Sequence, residues 1–432
     1  MIDRLAASCD VDTSLATLPN GVRVVAMRLP HLESASVSVF VRTGSANEGP
    51  RNNGISHVVE HMAFKGTRSR DCQRINLDAE RLGAEVNAHT DKDHTAFHMR
   101  GLARHAGAFV RMLGDIVCHS SFPEAELERE RQVILHEVTE DEDDALSTAY
   151  KLFDAACYGS HPMARPVIGT RRNIERLTRA ELRAYVERQY TGANLVIGIA
   201  GRIDPERVLK EAEAAFGALP AGGDNRIEVP AYLGGTRTRR QAGCSQTHVV
   251  LGFPIPSLPD DDAASTVAAS LFGEGMSSPL MDAIRERQAL VYYAACSADV
   301  MPLCGQFVIE ASTAARHLDD FFDEVARLLL EQVERTDAVG LERARNQIAV
   351  RSVRAQERPM RRLEDAAQDL FVFGRLRSRA ELAARVEAVT ARHVRRAFER
   401  MLAFRPAIAV AGRVGRADAP ARFIELVRQS AG

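Results

Sequence analysis

No stretch of this 432-residue chain approaches the roughly 18 consecutive apolar residues that a membrane span needs, so no membrane segment is expected. Charge of one sign is missing too. A formal net charge of −2 leaves no basic footprint for nucleic acid and no pull towards anionic lipid. Cysteine is sparse and unpatterned: Cys9, Cys72, Cys118, Cys157, Cys244, Cys296 and Cys304 are odd in number and never spaced C-x-x-C. They read as reduced thiols, and a cysteine zinc site is not expected. The opening residues lack the basic-then-apolar order of a secretory signal, so the expected location is cytoplasmic, or the mitochondrial matrix if a transit peptide has been removed. With 45% hydrophobic and 26% charged residues, a chain this long calls for two or more globular domains.

What the chain does contain is the run Asn53-Gly54-Ile55-Ser56-His57-Val58-Val59-Glu60-His61-Met62-Ala63-Phe64-Lys65-Gly66-Thr67. It has helical character after Gly54, with Asn52 and Asn53 as expected N-caps and a stop at Lys65-Gly66-Thr67. On a helix His57 and His61 lie one turn apart and project from one face, as two nitrogen ligands of one tetrahedral zinc ion must. Glu60 falls beside the same point, where a carboxylate can take a proton from water that the zinc acidifies. The pattern is H-x-x-E-H, the reversed zincin motif. Two histidines at this spacing also arise by chance, so a third ligand is required elsewhere.

Residues 22–29 and 35–42 have strand patterning, and two short strands are expected at 85–90 and 93–99 around Asp91-Lys92. The helix expected from Glu124 to about Glu140 has an apolar stripe of Leu127, Ile134 and Val138. Glu130 and Glu137, seven apart, point close to that stripe, and a carboxylate aimed at a core needs a partner. Histidines around a metal would serve; so would Arg129 and Arg131. Residues 219–243, rich in Gly, Pro and Thr, read as a linker between domains at 1–218 and 244–432. Ala407–Val414 echoes Ile197–Ile203, which suggests a duplicated domain. In the second copy Ser265, Ala268 and Ala269 stand where His57, Glu60 and His61 stand in the first. Helices are expected at 277–288 and 379–402, among others.

The run from Arg42-Thr43-Gly44-Ser45 through H-x-x-E-H to Gly66-Thr67 resembles the M16 metallopeptidases (pitrilysin, insulinase and mitochondrial processing peptidase), and most of all their short branch. The resemblance implies a third zinc ligand at Glu137, which stands 76 residues after His61, and a supporting glutamate at Glu130. It implies that Asn87, Ala88, His89 and Thr90 form an edge strand that pairs with substrate backbone. Arg285 and Tyr292, seven apart, match an arginine and a tyrosine that the family turns towards its zinc. Ala289 departs from the glycine common in the family before Leu-x-Tyr, and Tyr293 competes with Tyr292 for the role. The implied fold is α+β: two related domains, each a mostly antiparallel sheet with helices on one face, closing like a clamshell round a chamber. The implied activity is hydrolysis of unfolded peptides with one Zn2+ per chain, Glu60 as general base and Tyr292 as oxyanion donor. The family's short members work as homodimers or heterodimers, and some have become non-catalytic or partner-dependent subunits. No nucleic acid or membrane partner is implied.

Overall fold

The computed structural model describes residues 2–4, 12–260, 262–414 and 418–429; Cys9 lies outside them. The strands are β1 (Ile2–Arg4), β2 (Asp12–Thr17), β3 (Arg23–Arg28), β4 (Ser34–Val41), β5 (Glu85–Thr90), β6 (Thr95–Leu102), β7 (Leu195–Gly201), β8 (Gly235–Arg240), β9 (Thr247–Ile255), β10 (Val291–Val300), β11 (Gly305–Thr313) and β12 (Ala407–Gly412). The helices that frame them include α1 (Ile55–Ala63), α2 (Ala106–Cys118), α3 (Glu124–Asp143), α4 (Ala145–Tyr158), α5 (Arg179–Gln189), α6 (Leu318–Glu334) and α7 (Pro359–Phe373).

They sort into two compact units. The first holds Met1–Val138, Pro166–Ile227 and Arg354–Arg379; the second holds Thr139–Arg165, Glu228–Val353 and Ala380–Gly432. This is not the single cut that composition suggests. Residues 219–243 are not all linker either, because β8 lies inside them and pairs in parallel with β12. Two helices account for the interrupted segments. α7, late in the chain, packs on β7 and β4 of the first unit, whereas α4, early in the chain, packs on β12, β8 and β9 of the second.

The first unit has a seven-stranded sheet in the order β1-β2-β3-β7-β4-β6-β5. Its strand neighbours are antiparallel except β3 with β7. The two-residue period of a strand divides the buried side chains between two cores. Val37, Val39, Val41, Ile197, Ile199 and Phe97 pack with α1, α2, α3 and α5. Val25, Phe40, Val196 and Ala200 pack on the opposite face with Leu363, Ala366, Ala367 and Leu370 of α7. Local helices thus share one face, and a remote helix closes the other.

The second unit has a five-stranded sheet in the order β10-β11-β9-β12-β8. Its one parallel pair, β8 with β12, and its antiparallel run β12-β9-β11-β10 reproduce β3-β7-β4-β6-β5 of the first. The echo between β7 and β12 is therefore a repeat of the whole sheet. The helix Ala263–Gly273 occupies the sequence position of α1, and in it Ser265, Ala268 and Ala269 are buried, the two alanines in the apolar core and Ser265 against Asp262 and Arg400.

Two expected helices come out differently. At 277–288 there is a short turn, Pro279–Met281, then a π-helical turn, Asp282–Arg287. At 379–402 there are two helices, Arg379–Glu387 and Ala391–Leu402, because the Thr390 hydroxyl accepts from the His393 N–H and restarts the chain as an N-cap.

Candidate metal centre

α1 carries H-x-x-E-H. Its buried side is Ile55, Val58, Val59 and Met62, which leaves His57, Glu60 and His61 on the opposite, half-buried side. The N-cap is neither Asn52 nor Asn53 but Gly54, at φ +101°, where Ile174 and Gly169 lie within 3 Å of any added Cβ. Gly54 has no side chain to cap with, and Glu48 does that work. Its carboxylate accepts from the N–H groups of Gly54 (2.7 Å) and Ser56 (2.8 Å) and from Asn53 Nδ2 (2.8 Å). Asn53 also donates to the Pro166 carbonyl, and Asn52 Oδ1 accepts from the Gly49 N–H. Burial pushes the Glu48 carboxyl up to about 7 against the pull of these donors. Nothing in the local sequence marks Glu48, since its contacts span a loop.

α3 brings up Glu137, the residue expected as third ligand. Leu127, Ile134 and Val138 are buried, so Glu130 and Glu137 on adjoining positions meet α1. Glu137 Oε2 lies 3.6 Å from both His57 Nε2 and His61 Nε2. The two imidazoles stand edge to face, centroids 4.6 Å apart at 73°. Ligands on one tetrahedral zinc sit ~3.4 Å from one another, so this donor set fits that ion. Burial, then the neighbouring His61, holds His57 down to about 4, so it offers a neutral lone pair.

Glu130 does not pair with the arginines beside it. One oxygen meets His61 Nδ1 at 3.2 Å and the other meets Lys65 Nζ at 2.7 Å. Such a carboxylate fixes the histidine tautomer and turns Nε2 towards the metal position. Arg129 pairs with Glu126, and Arg131 with Glu128 and two backbone carbonyls. Glu60 accepts from Thr90 Oγ1 at 2.6 Å, and burial raises its pKa. Thr90 thus holds the carboxylate expected to act as base, a contact its place on the expected substrate strand does not suggest. Asn87, Ala88, His89 and Thr90 lie on β5, the edge of the sheet, and the Ala88 N–H donates to Asn87 Oδ1 (2.8 Å). His89, His94 and His98 are joined in one hydrogen-bonded chain. His105, His119 and His136 stay outside both groups; Arg104 donates to His105, and His136 is exposed.

Residues 23–171 match the family model described as insulinase (peptidase family M16), and residues 176–348 match the peptidase M16 inactive domain. The chain belongs to peptidase family M16. An uncharacterized zinc protease of Rickettsia bellii is 30% identical to this M16 chain, over 85% of it and 90% of the relative. A protease from Helicobacter pylori superposes with TM-score 0.83 at 20% identity, covering 93% of this chain and 99% of its own. The peptidase M16 inactive domain from Pseudomonas fluorescens does so with TM-score 0.85 at 21% identity, covering 94% and 99%. Both share the two-unit fold.

Arg285 and Tyr292 belong to the second unit of this M16 chain. Arg285 is exposed on the π-helical turn, and Tyr292 is 64% exposed. Between β10 and β11 the register shifts from Val291 to Tyr293, so Tyr292 sits on a β-bulge. Ala289 lies between them at φ +50°, a left-handed conformation that explains why the family commonly has glycine there. A π turn, a left-handed residue and a bulge within eleven residues are devices that re-aim side chains.

Proposed function

We propose that this M16 chain is a zinc-dependent endopeptidase acting on extended, unfolded peptide segments. The observation that carries the reading is the meeting of His57, His61 and Glu137 at 3.6 Å, with Glu60 held alongside by Thr90. Zinc bound by these three residues would supply a Lewis acid that polarises a scissile carbonyl and acidifies water. Glu60, its pKa raised by burial, takes a proton from that water and passes it to the leaving amine. Glu130 orients His61, and Lys65 balances the second charge of the pair. A substrate adds to β5 as a further strand, which accounts for a preference for chains free to extend. The oxyanion donor is proposed to be Tyr292, with Arg285 as its companion. As in the short members of the family, the working species is proposed to be a dimer of this chain with itself or with a related chain.

The test is a quenched-peptide assay run beside metal analysis. Glu60→Gln should keep zinc and lose turnover by about 100-fold or more. Glu137→Gln should lose zinc. Tyr292→Phe should slow turnover with zinc content unchanged. Cleavage unaffected by Glu60→Gln, or by chelation, would overturn the peptidase reading and leave a non-catalytic subunit.

A further inference from the structure

The β5–β6 hairpin gathers a second set of donors. His89 Nε2 lies 3.3 Å from His94 Nε2, and Asp91 Oδ2 lies 4.0 and 3.8 Å from the same two atoms. The rings stand at 87° with centroids 5.3 Å apart, an edge-to-face arrangement like that of His57 and His61.

The hydrogen bonds behind these donors decide what the gap can hold. Asp93 Oδ1, 3.0 Å from His94 Nδ1, is an acceptor, so the single proton of neutral His94 belongs on Nδ1 and leaves Nε2 bare. On its other side, His89 Nδ1 lies 3.1 Å from His98 Nε2, and His98 Nδ1 lies 2.7 Å from Ser38 Oγ. This row has two complete arrangements. In one, Ser38 donates to His98, His98 to His89, and His89 Nε2–H to His94. In the other the protons shift along the row, so that His89 donates through Nδ1 to His98 and His98 donates to Ser38. Nothing then lies between two facing lone pairs, with a carboxylate beside them. A divalent cation satisfies that second arrangement, and its two histidines are backed by Asp93 and by the buried pair His98 and Ser38, as metal-bound histidines usually are. Glu364 of α7 and His98 flank the other side of His89, but there the facing ring nitrogens of His89 and His98, 3.1 Å apart, share a proton in either arrangement and leave no lone pair for an ion.

We propose that His89, Asp91 and His94 form a second metal site, selective for a borderline divalent ion such as Zn2+, Ni2+ or Cu2+. The ion clips the hairpin that carries Thr90, so its occupancy is felt at Glu60 through the Thr90 hydroxyl. The site stands apart from the peptidase reading, because metal content detects it whether or not the chain cleaves anything.

The test is equilibrium dialysis of the full chain against Zn2+ alone, with metal counted by mass spectrometry. The double variant His57→Asn with His61→Asn should still bind one ion per chain. Adding Asp91→Asn and His94→Gln should abolish that ion. Adding Asp93→Asn instead should weaken it by about 10- to 100-fold, the usual effect of removing a partner behind a metal-bound histidine. Co2+ in the double variant should give the visible absorption of a nitrogen- and oxygen-ligated ion. If the double variant does not fold, wild-type chain should take up two ions and the Asp91→Asn/His94→Gln chain one. A double variant that folds and binds nothing would overturn the proposal. So would an ion that survives when all four substitutions are combined.

Discussion

Glu48 is the residue whose carboxyl caps α1, and it is ionisable and buried. Its carboxyl titrates at about 7 in the folded chain against an ordinary 4.5, because burial outweighs its donors. Between those limits the folded chain keeps a proton that the unfolded chain has released. This contribution to stability is therefore full below about pH 4.5 and lost as pH rises through about 7, by on the order of 3 kcal/mol. Glu48→Gln sets an amide N–H2 against one of the donors that the carboxyl accepts from, so it should lower stability at about pH 5. It should also remove this slope, and denaturation midpoints at about pH 5 and pH 8 would show both effects. An unchanged slope would acquit Glu48. Ala289, at φ +50°, pays for a conformation that glycine adopts freely. Ala289→Gly should stabilise the chain by about 0.5–1 kcal/mol, and a loss in urea titration would contradict that.

At the scale of elements, the two exchanged helices explain how each sheet buries its second face. Leu363 of α7 is fully buried, and a Cβ on Gly198 of β7 would stand 2.9 Å from its Cδ2. The glycine is there for close approach. Gly198→Ala should cost about 1–3 kcal/mol by overpacking, and Leu363→Ala about 2–5 kcal/mol by leaving a cavity. The two changes touch one contact, so the double variant should cost less than their sum. Strict additivity in denaturation would mean that α7 does not seat on β7 through this pair. α7 begins more than 150 residues after β7 ends, and periodicity cannot report a partner at that distance. β3, β4, β5, β6 and α1 were legible because each depends on its own local pattern, whereas β8 lies in the stretch read as linker.

At the scale of the whole molecule, both units share one sheet plan, but the donors of α1 have become Ser265, Ala268 and Ala269 in the second. Zinc should therefore stabilise them unequally. An ion at 1,000 times its dissociation constant adds about 4 kcal/mol to the unit that binds it. Hydrogen exchange with and without chelator should show slowed amides in α1 and α3, and no change in the helix Ala263–Gly273. Equal protection of both would place the ion elsewhere. Among the described residues, no helix is long and apolar enough to cross a membrane, as the missing apolar runs led one to expect.

Sequence alone determined the spacing of His57, Glu60 and His61, because one helical turn converts four positions into a shared face. The family likeness named Glu137, and the apolar stripe of its helix pointed it inward. Tertiary structure decided what surrounds those residues. Thr90 on the base and Lys65 against Glu130 join elements far apart in the chain, and Glu48 under the helix and the histidine row behind β5 reach across a loop and a hairpin. Such contacts carry no period and no motif. They exist because a buried charge or imidazole must find a partner wherever folding brings one within reach.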